Sequence, residues 1–268
     1  VTDRFFAEIN GTRLYVEVEG AIAPVVFVHG FSLDTRTWDA QVADFADRYR
    51  VVRYDLRGFG RSAIPEPEVR YEHRADLRAL IDALGLERPV LVGLSLGGAV
   101  VLDFARANPG AARAIVLVDA ILPGFDAPGL DTITRPIWSA GRNGGAGAAR
   151  ALWQENPMFA VANARPHCAE PLRQMIADYS GWGWTDPDPG RWGEPPVATE
   201  LDRIDAPALV VTGEHDIADF QRVADALATG IPGACKVVLP GLGHLPNMED
   251  PALFNRTVLD FLASASRR

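Results

Sequence analysis

Pro89-Val90-Leu91-Val92-Gly93-Leu94-Ser95-Leu96-Gly97-Gly98-Ala99 is the stretch that decides how this chain folds. Pro89–Val92 is an apolar β-type run, and a helical run extends from Ala99 to Ala107. Between them lies a very tight turn with Ser95 at its apex. Such a turn forces the serine into strained backbone angles. It also brings strand and helix so close that the flanking positions want no Cβ, which Gly93 and Gly97 supply. The strain holds the hydroxyl exposed above a sheet, at a helix N-terminus, where a base can reach it. A G-x-S-x-G pattern alone also occurs in ordinary glycine-rich turns, so the rest of the chain must supply the partners.

Upstream, Phe5–Ile9 and Arg13–Val18 alternate in polarity around Asn10-Gly11, which predicts an antiparallel hairpin. Val25–Val28, Val51–Tyr54, Val90–Val92 and Ala114–Val118 are strand runs, mostly apolar throughout as expected of strands buried on both faces. Helices are predicted at Thr37–Asp47 and Tyr71–Leu84, the second stopped by Gly85. Downstream, strands at Ala208–Val211 and Lys236–Leu239 alternate with helices at Phe220–Ala228 and Pro251–Ala263. Asp250 suits the N-cap of the last helix and Pro251 its first position. This alternation predicts an α/β fold: a mostly parallel, eight-stranded sheet covered by helices on both faces.

The rhythm breaks once, after the sixth strand. From Ile121 to Asp205 no buried strand run is present, and the stretch is rich in Gly, Pro, Arg and Trp. Helical pieces are expected at Ile133–Ser139, Ala146–Glu155 and Glu170–Tyr179. The chain therefore divides into a core, residues 1–120 and 206–268, and a helical insertion, residues 121–205.

Composition bounds the function. The 268 residues are 48% hydrophobic and 23% charged, with a formal net charge of -9. That suits one α/β domain with an insertion. Without a basic run, nucleic acid and anionic membranes are poor partners. No stretch is long and apolar enough to span a bilayer, and Val1–Phe6 lacks a signal pattern, so a cytoplasmic location is expected. Cys168 and Cys235 read as free thiols in a reducing compartment. Two cysteines and five dispersed histidines form no zinc-site spacing. Lys236 is the only lysine among 26 basic residues, a bias that points to GC-rich coding and a bacterial source. Nothing in the residues decides between a monomer and a homo-oligomer.

A serine hydroxyl is a weak nucleophile until a neutral imidazole takes its proton and a carboxylate orients that imidazole. The strand at Ala208–Val211 runs into Thr212-Gly213-Glu214-His215-Asp216, and the strand at Lys236–Leu239 into Pro240-Gly241-Leu242-Gly243-His244. Asp216 and His244 thus follow the carboxyl ends of strands, the edge where sites form in open α/β sheets. Asp119, at the end of the Ala114–Val118 strand, is the rival acid. His29 is read as a loop support, Asp55 and Arg57 as turn supports, His215 as pointing away, and His73 as a surface residue between Glu72 and Arg74. His167 is a histidine of the insertion that could face the site.

These segments together resemble the α/β-hydrolase fold family, in particular its small capped members. His29-Gly30-Phe31 resembles the family's H-G segment, and Asp55–Ser62 its D-x-R-G-x-G-x-S loop. Gly93–Gly97 resembles the nucleophile elbow, Gly213–Asp216 the acid loop, and Gly243-His244 with Glu249 and Pro251 the histidine loop. The resemblance covers nearly the whole chain and places the family's cap at 121–205. It implies Ser95 as nucleophile, His244 as base and then acid, and Asp216 as its orienter. The backbone N–H groups of Leu96 and Phe31 are implied as oxyanion donors. Leu122, Trp138, Ile217 and Leu245 are expected to line the pocket, and Arg135 and Arg142 to be exposed unless they hold a substrate carboxylate. The implied activity is cofactor-independent and metal-free hydrolysis of a small ester or lactone, closest to the 3-oxoadipate enol-lactonase-like and carboxylesterase groups. Hydrolysis of carbon–carbon bonds in ring-cleavage products, perhydrolysis, and slow-turnover reception of a small molecule reuse the same residues. Dehalogenases and epoxide hydrolases of this kind carry aspartate where Ser95 stands.

Overall fold

The computed structural model describes residues 2–265. Eight strands form one sheet: β1 Asp3–Ile9, β2 Thr12–Glu19, β3 Ala23–Val28, β4 Tyr49–Tyr54, β5 Val90–Leu94, β6 Ala114–Val118, β7 Ala208–Gly213 and β8 Cys235–Leu239. Their order is β1-β2-β4-β3-β5-β6-β7-β8. The β1–β2 and β2–β4 pairs are antiparallel and all others parallel. Every residue of β5 and β6 is buried, as their apolar runs require of central parallel strands. At the edges, β1 alternates exposed and half-buried positions, and β8 leaves Val238 in solvent.

The strand order sets where the helices lie. From β3 the chain steps one way to β4 through α1 (Asp39–Ala46), then crosses back to β5 through α2 (His73–Ala83). It continues outward from β5 to β6 through α3 (Leu96–Ala107), and from β7 to β8 through α8 (Ala218–Gly230). Right-handed crossovers running in opposite directions put their helices on opposite faces. So α1 covers one face, joined by the C-terminal α10 (Pro251–Ala265), which follows the short α9 (Pro246–Glu249), while α2 and α3 cover the other. The reversal lies between β3 and β5. Their carboxyl ends therefore flank a crevice, the place where open α/β sheets bind ligands.

Between β6 and β7 the chain carries helices and turns but no strand: α4 (Pro128–Gln154), α5 (Ala160–Asn163), α6 (Pro166–Asp178) and α7 (Trp182–Thr185). Gly145 (φ 79°, ψ 175°) is a non-helical kink that divides α4 into two helical segments, so the pieces expected at Ile133–Ser139 and Ala146–Glu155 lie on either side of it, and the first begins earlier, at Pro128. Pro136 and Gly141 sit inside it without ending it. The expected Glu170–Tyr179 helix starts earlier, at Pro166. The insertion is tied down at two places. Asp103 and Arg106 of α3 hold its return segment through the Gly193 N–H and Glu200. Arg165 donates to the carbonyls of Glu249 and Gly241 in the loop after β8. No helix among the described residues is long and apolar enough to cross a membrane.

Candidate active site

Ser95 ends β5 and caps α3 with φ 53° and ψ −111°, the strained turn the sequence demands. Glycine is obligatory beside it: a Cβ on Gly93 would lie 2.3 Å from the Gly97 carbonyl oxygen, and one on Gly97 would lie 2.1 Å from that of Val28. This close approach stacks the start of α3 directly on the end of β3. The loop after β3 consequently lies over the serine, where a Cβ on Gly30 would be 3.5 Å from the Ser95 Cβ. His29 is buried and fixes that loop: one ring nitrogen meets the Gly30 carbonyl at 2.8 Å, and the other accepts the Leu56 N–H at 2.9 Å. Both nitrogens are occupied by backbone, and burial holds the imidazole below its ordinary pKa.

The loops after β7 and β8 bring the next pair together. His244 Nδ1 meets Asp216 Oδ2 at 2.7 Å, and both side chains are buried. Asp216 Oδ1 accepts the Ile217 N–H at 2.7 Å, so the carboxylate is held from two sides. With Nδ1 engaged, Nε2 is the imidazole nitrogen left to act. His244 is flanked by Phe220, with ring centroids 4.4 Å apart. Glu249 pins the backbone on either side of the histidine, its carboxylate accepting the N–H groups of Gly243 (2.5 Å) and Leu245 (3.2 Å). Burial raises the Glu249 pKa above its usual range.

Ser95 and His244 line one cavity of about 180 Å³ over the β3–β5 crevice. Its walls come from the β3 loop (Gly30, Phe31, Leu33), the elbow (Leu94, Leu96) and the insertion. Leu130, Thr134 and Trp138 of α4 face it at four-residue spacing, with Trp153, Met158 and Phe159 beyond. Among the described residues no lysine or arginine lines it, and its one additional charged group is Asp131 at the exposed rim. Phe31 joins the walls, its ring 5.3 Å from Trp138 and 5.4 Å from Trp153. Trp153 also donates to Ser32 Oγ at 2.6 Å, fastening the insertion to the β3 loop.

Of the expected lining residues, Trp138 and Leu245 face the cavity, and two do not. Leu122 is buried one position too far along: Ile121, whose N–H donates to the Ser95 carbonyl, takes the cavity position, and Leu122 lines a neighbouring depression. Ile217 serves as the N-cap position of α8, so the first turn presents Phe220 instead. The sequence reading missed Trp153, Met158, Phe159 and Phe220. For α4 a signal existed, since 130, 134 and 138 share one helix face. His167 is exposed and contacts the Glu249 carbonyl, and Arg135 and Arg142 are exposed away from the cavity. His73 is not a surface residue: it is buried against Tyr71, with ring centroids 5.0 Å apart.

Asp119 does not reach the imidazole as Asp216 does. Its Oδ1 accepts the Thr212 hydroxyl (2.7 Å) and the Gly213 N–H (3.2 Å). Asp119, Asp216 and His244 are the one group among the described residues with metal-type ligand atoms clustered within 4.8 Å. The 2.7 Å contact between Nδ1 and Oδ2 is a hydrogen bond. Two ligands about 2.0–2.2 Å from one tetrahedral ion stand farther apart than that. The spacing is therefore that of a hydrogen-bonded pair and not of two ligands on one metal.

Residues 25–257 match the alpha/beta hydrolase family, and the chain belongs to it. It is similar to the non-heme chloroperoxidase of Streptomyces lividans, 30% identical over 95% of this chain and 98% of that protein. Among solved structures it resembles the enol-lactonase of Burkholderia xenovorans LB400 (27% identity, TM-score 0.83, covering 97% of this chain and 100% of that one). It also resembles a thermophilic esterase of Thermogutta terrifontis (30% identity, TM-score 0.79, covering 98% and 99%).

Proposed function

We propose that this hydrolase is a cofactor-independent serine hydrolase that cleaves a small ester or lactone through an acyl-enzyme. The observation that carries this reading is His244, bound through Nδ1 to Asp216 and sharing one cavity with the strained Ser95. Ser95 Oγ attacks the substrate carbonyl while His244 Nε2 takes its proton, and Asp216 stabilises the imidazolium. The oxyanion accepts hydrogen bonds from the backbone N–H groups of Leu96 and Phe31. Leu96 opens α3, where the N–H groups have no partner within the helix. His244 returns the proton to the leaving alcohol. Water then attacks the acyl-enzyme by the same steps reversed, which regenerates Ser95. Residues 121–205 act as the cap that shapes the cavity.

The cavity narrows the substrate. An apolar cavity of about 150 Å³ admits a benzene-sized guest, so 180 Å³ suits one small ring or a short branched chain. With no cation in the walls, a substrate carboxylate would be buried without a partner, which is costly. The preferred substrate is accordingly a neutral small molecule. The S. lividans name favours a second reaction of the same acyl-enzyme, in which hydrogen peroxide replaces water and a peracid leaves.

The test is hydrolysis of 4-nitrophenyl butyrate by the wild type and Ser95→Ala, with enough enzyme to see a burst. Many turnovers, lost by orders of magnitude in the variant, are expected. Turnover by Ser95→Ala at the wild-type rate would refute the mechanism. A serine-dependent burst with no continuing turnover would mark a slow receptor. The matched anionic ester, 4-nitrophenyl hemisuccinate, should have a kcat/KM about 100-fold lower. Equal values would reject the neutral substrate and leave the serine mechanism standing.

A further inference from the structure

One buried oxygen near the site has no use in the mechanism above. Asp119 is 2% exposed. Its Oδ1 is satisfied by Thr212 and Gly213, yet its Oδ2 has no hydrogen-bond partner. A buried acceptor left bare is destabilising, and more so if it is charged. The groups facing it explain the difficulty. Among the described residues, the titratable groups beside Asp119 are Asp216 and, across it, His244, with one ligand-type atom of each within 4.8 Å of the others. A second ionised carboxylate here would sit in a buried site next to the first, with no cation to balance it. Two such carboxylates do not both stay ionised.

We propose that Asp119 carries a proton at neutral pH and donates it in a hydrogen bond from Oδ2 to the Asp216 carboxylate, as a positioning residue for the Asp216–His244 pair. The proton gives the orphaned oxygen a partner and gives Asp216 a third donor, after the Ile217 N–H and His244. It also leaves the cluster with a single negative charge, which the imidazolium neutralises during turnover. Burial first, then the charge and hydrogen bonding of Asp216, hold the Asp119 acid well above the usual carboxylate range. The strand end supports the placement: Asp119 has φ 39°, and its N–H donates to the Val211 carbonyl at 2.9 Å. This backbone register sets its side chain between Thr212 and Asp216. The inference rests on the proposed roles of Asp216 and His244, but its first test does not need activity.

The test compares wild type, Asp119→Asn and Asp119→Leu. Infrared spectra at pH 7 should contain a protonated-carboxyl band that both variants lose. Its absence from the wild type would overturn the proposal, whatever the enzyme hydrolyses. Asp119→Asn keeps a donor and adds no charge, so kcat should stay within about threefold. The acid limb of its kcat/KM profile should shift by less than about 0.3 pH unit. Asp119→Leu keeps the charge state but loses the donor, and kcat should fall about 10- to 100-fold. If Asp119 were ionised instead, Asp119→Asn would remove a negative charge beside the imidazole, and the acid limb would drop by about one pH unit or more. That shift would overturn the proposal. Ser95→Ala at wild-type rate would instead remove the serine mechanism and leave the infrared result to stand alone.

Discussion

Gly97→Ala tests whether the contact between β3 and α3 builds the site. An added Cβ would meet the Val28 carbonyl oxygen at 2.1 Å, the Val28 carbonyl carbon at 2.6 Å and the His29 carbonyl oxygen at 2.7 Å. All three are backbone atoms and cannot rotate away. Ordinary contact near 3.4 Å requires helix and strand to part by about 1 Å, an overpacking that costs about 1–3 kcal/mol. For a chain of this size each kcal/mol lowers Tm by about 2–4 °C, so a fall of about 2–12 °C is expected. The same movement separates Phe31 on the β3 loop from Leu96 on the helix. A 1 Å misplacement of catalytic groups costs about 100-fold, and losing one oxyanion donor costs a similar factor or more. Ester hydrolysis should therefore fall about 100-fold or more while the far-ultraviolet circular dichroism stays native. Gly147→Ala is the control. Gly147 is exposed in α4 with no atom within 4 Å of the added Cβ, so alanine should stabilise by about 0.5–1 kcal/mol and leave kcat unchanged. A Gly97→Ala enzyme with wild-type Tm and kcat would refute the close-approach argument.

Two further outcomes follow from burial. Burial, aided by the charges of Arg57 and His29, depresses the His73 imidazole from 6.5 to about 3. As pH falls below 6.5 the unfolded chain takes up this proton first, so stability is lost down to about pH 3, at about 1.4 kcal/mol per unit. Urea unfolding should show the wild type losing about 2–3 kcal/mol more than His73→Leu between pH 7.5 and 4.5; equal losses would contradict the burial of His73. In a thiol titration at pH 8, the exposed Cys235 should react in the native protein and Cys168 only after denaturation. Cys168 is buried, its Sγ donates to the Met248 carbonyl at 2.8 Å, and burial pushes the thiol to about 11. Reaction of both thiols in the native state would refute that packing.

What the sequence made legible was what local chemistry dictates. Strands buried on both faces must be apolar throughout, so β3, β5, β6 and β7 stand out as runs, and the loops at their carboxyl ends can be found by inspection. Ser95 and Asp216 come from such loops, His244 follows the partly exposed edge strand β8, and the structure brings the three to one end of the sheet. Less legible was anything set by contacts distant in sequence. The helical piece expected to end at Ser139 runs on through Gly141, where a Cβ would meet the Trp184 carbonyl oxygen at 2.4 Å. Its glycine answers to packing against α7. His73 sits between two charged residues and reads as exposed. It is buried beside Tyr71, which the return segment of the insertion covers through the Asp188 carboxylate and the Arg191 N–H. The swap of Ile121 for Leu122 turns on the backbone angles just after β6, which no polarity pattern records.

The central claim is that Ser95 Oγ forms the covalent intermediate. The most direct measurement is capture of that oxygen by diethyl 4-nitrophenyl phosphate, followed by peptide mass mapping. Attack on phosphorus by Ser95 forms the O–P bond and expels 4-nitrophenolate. One diethylphosphoryl group per chain is expected, carried by the peptide that contains Ser95, with ester hydrolysis lost in proportion. An adduct on another residue, or full hydrolysis by a chain fully modified at Ser95, would contradict the claim.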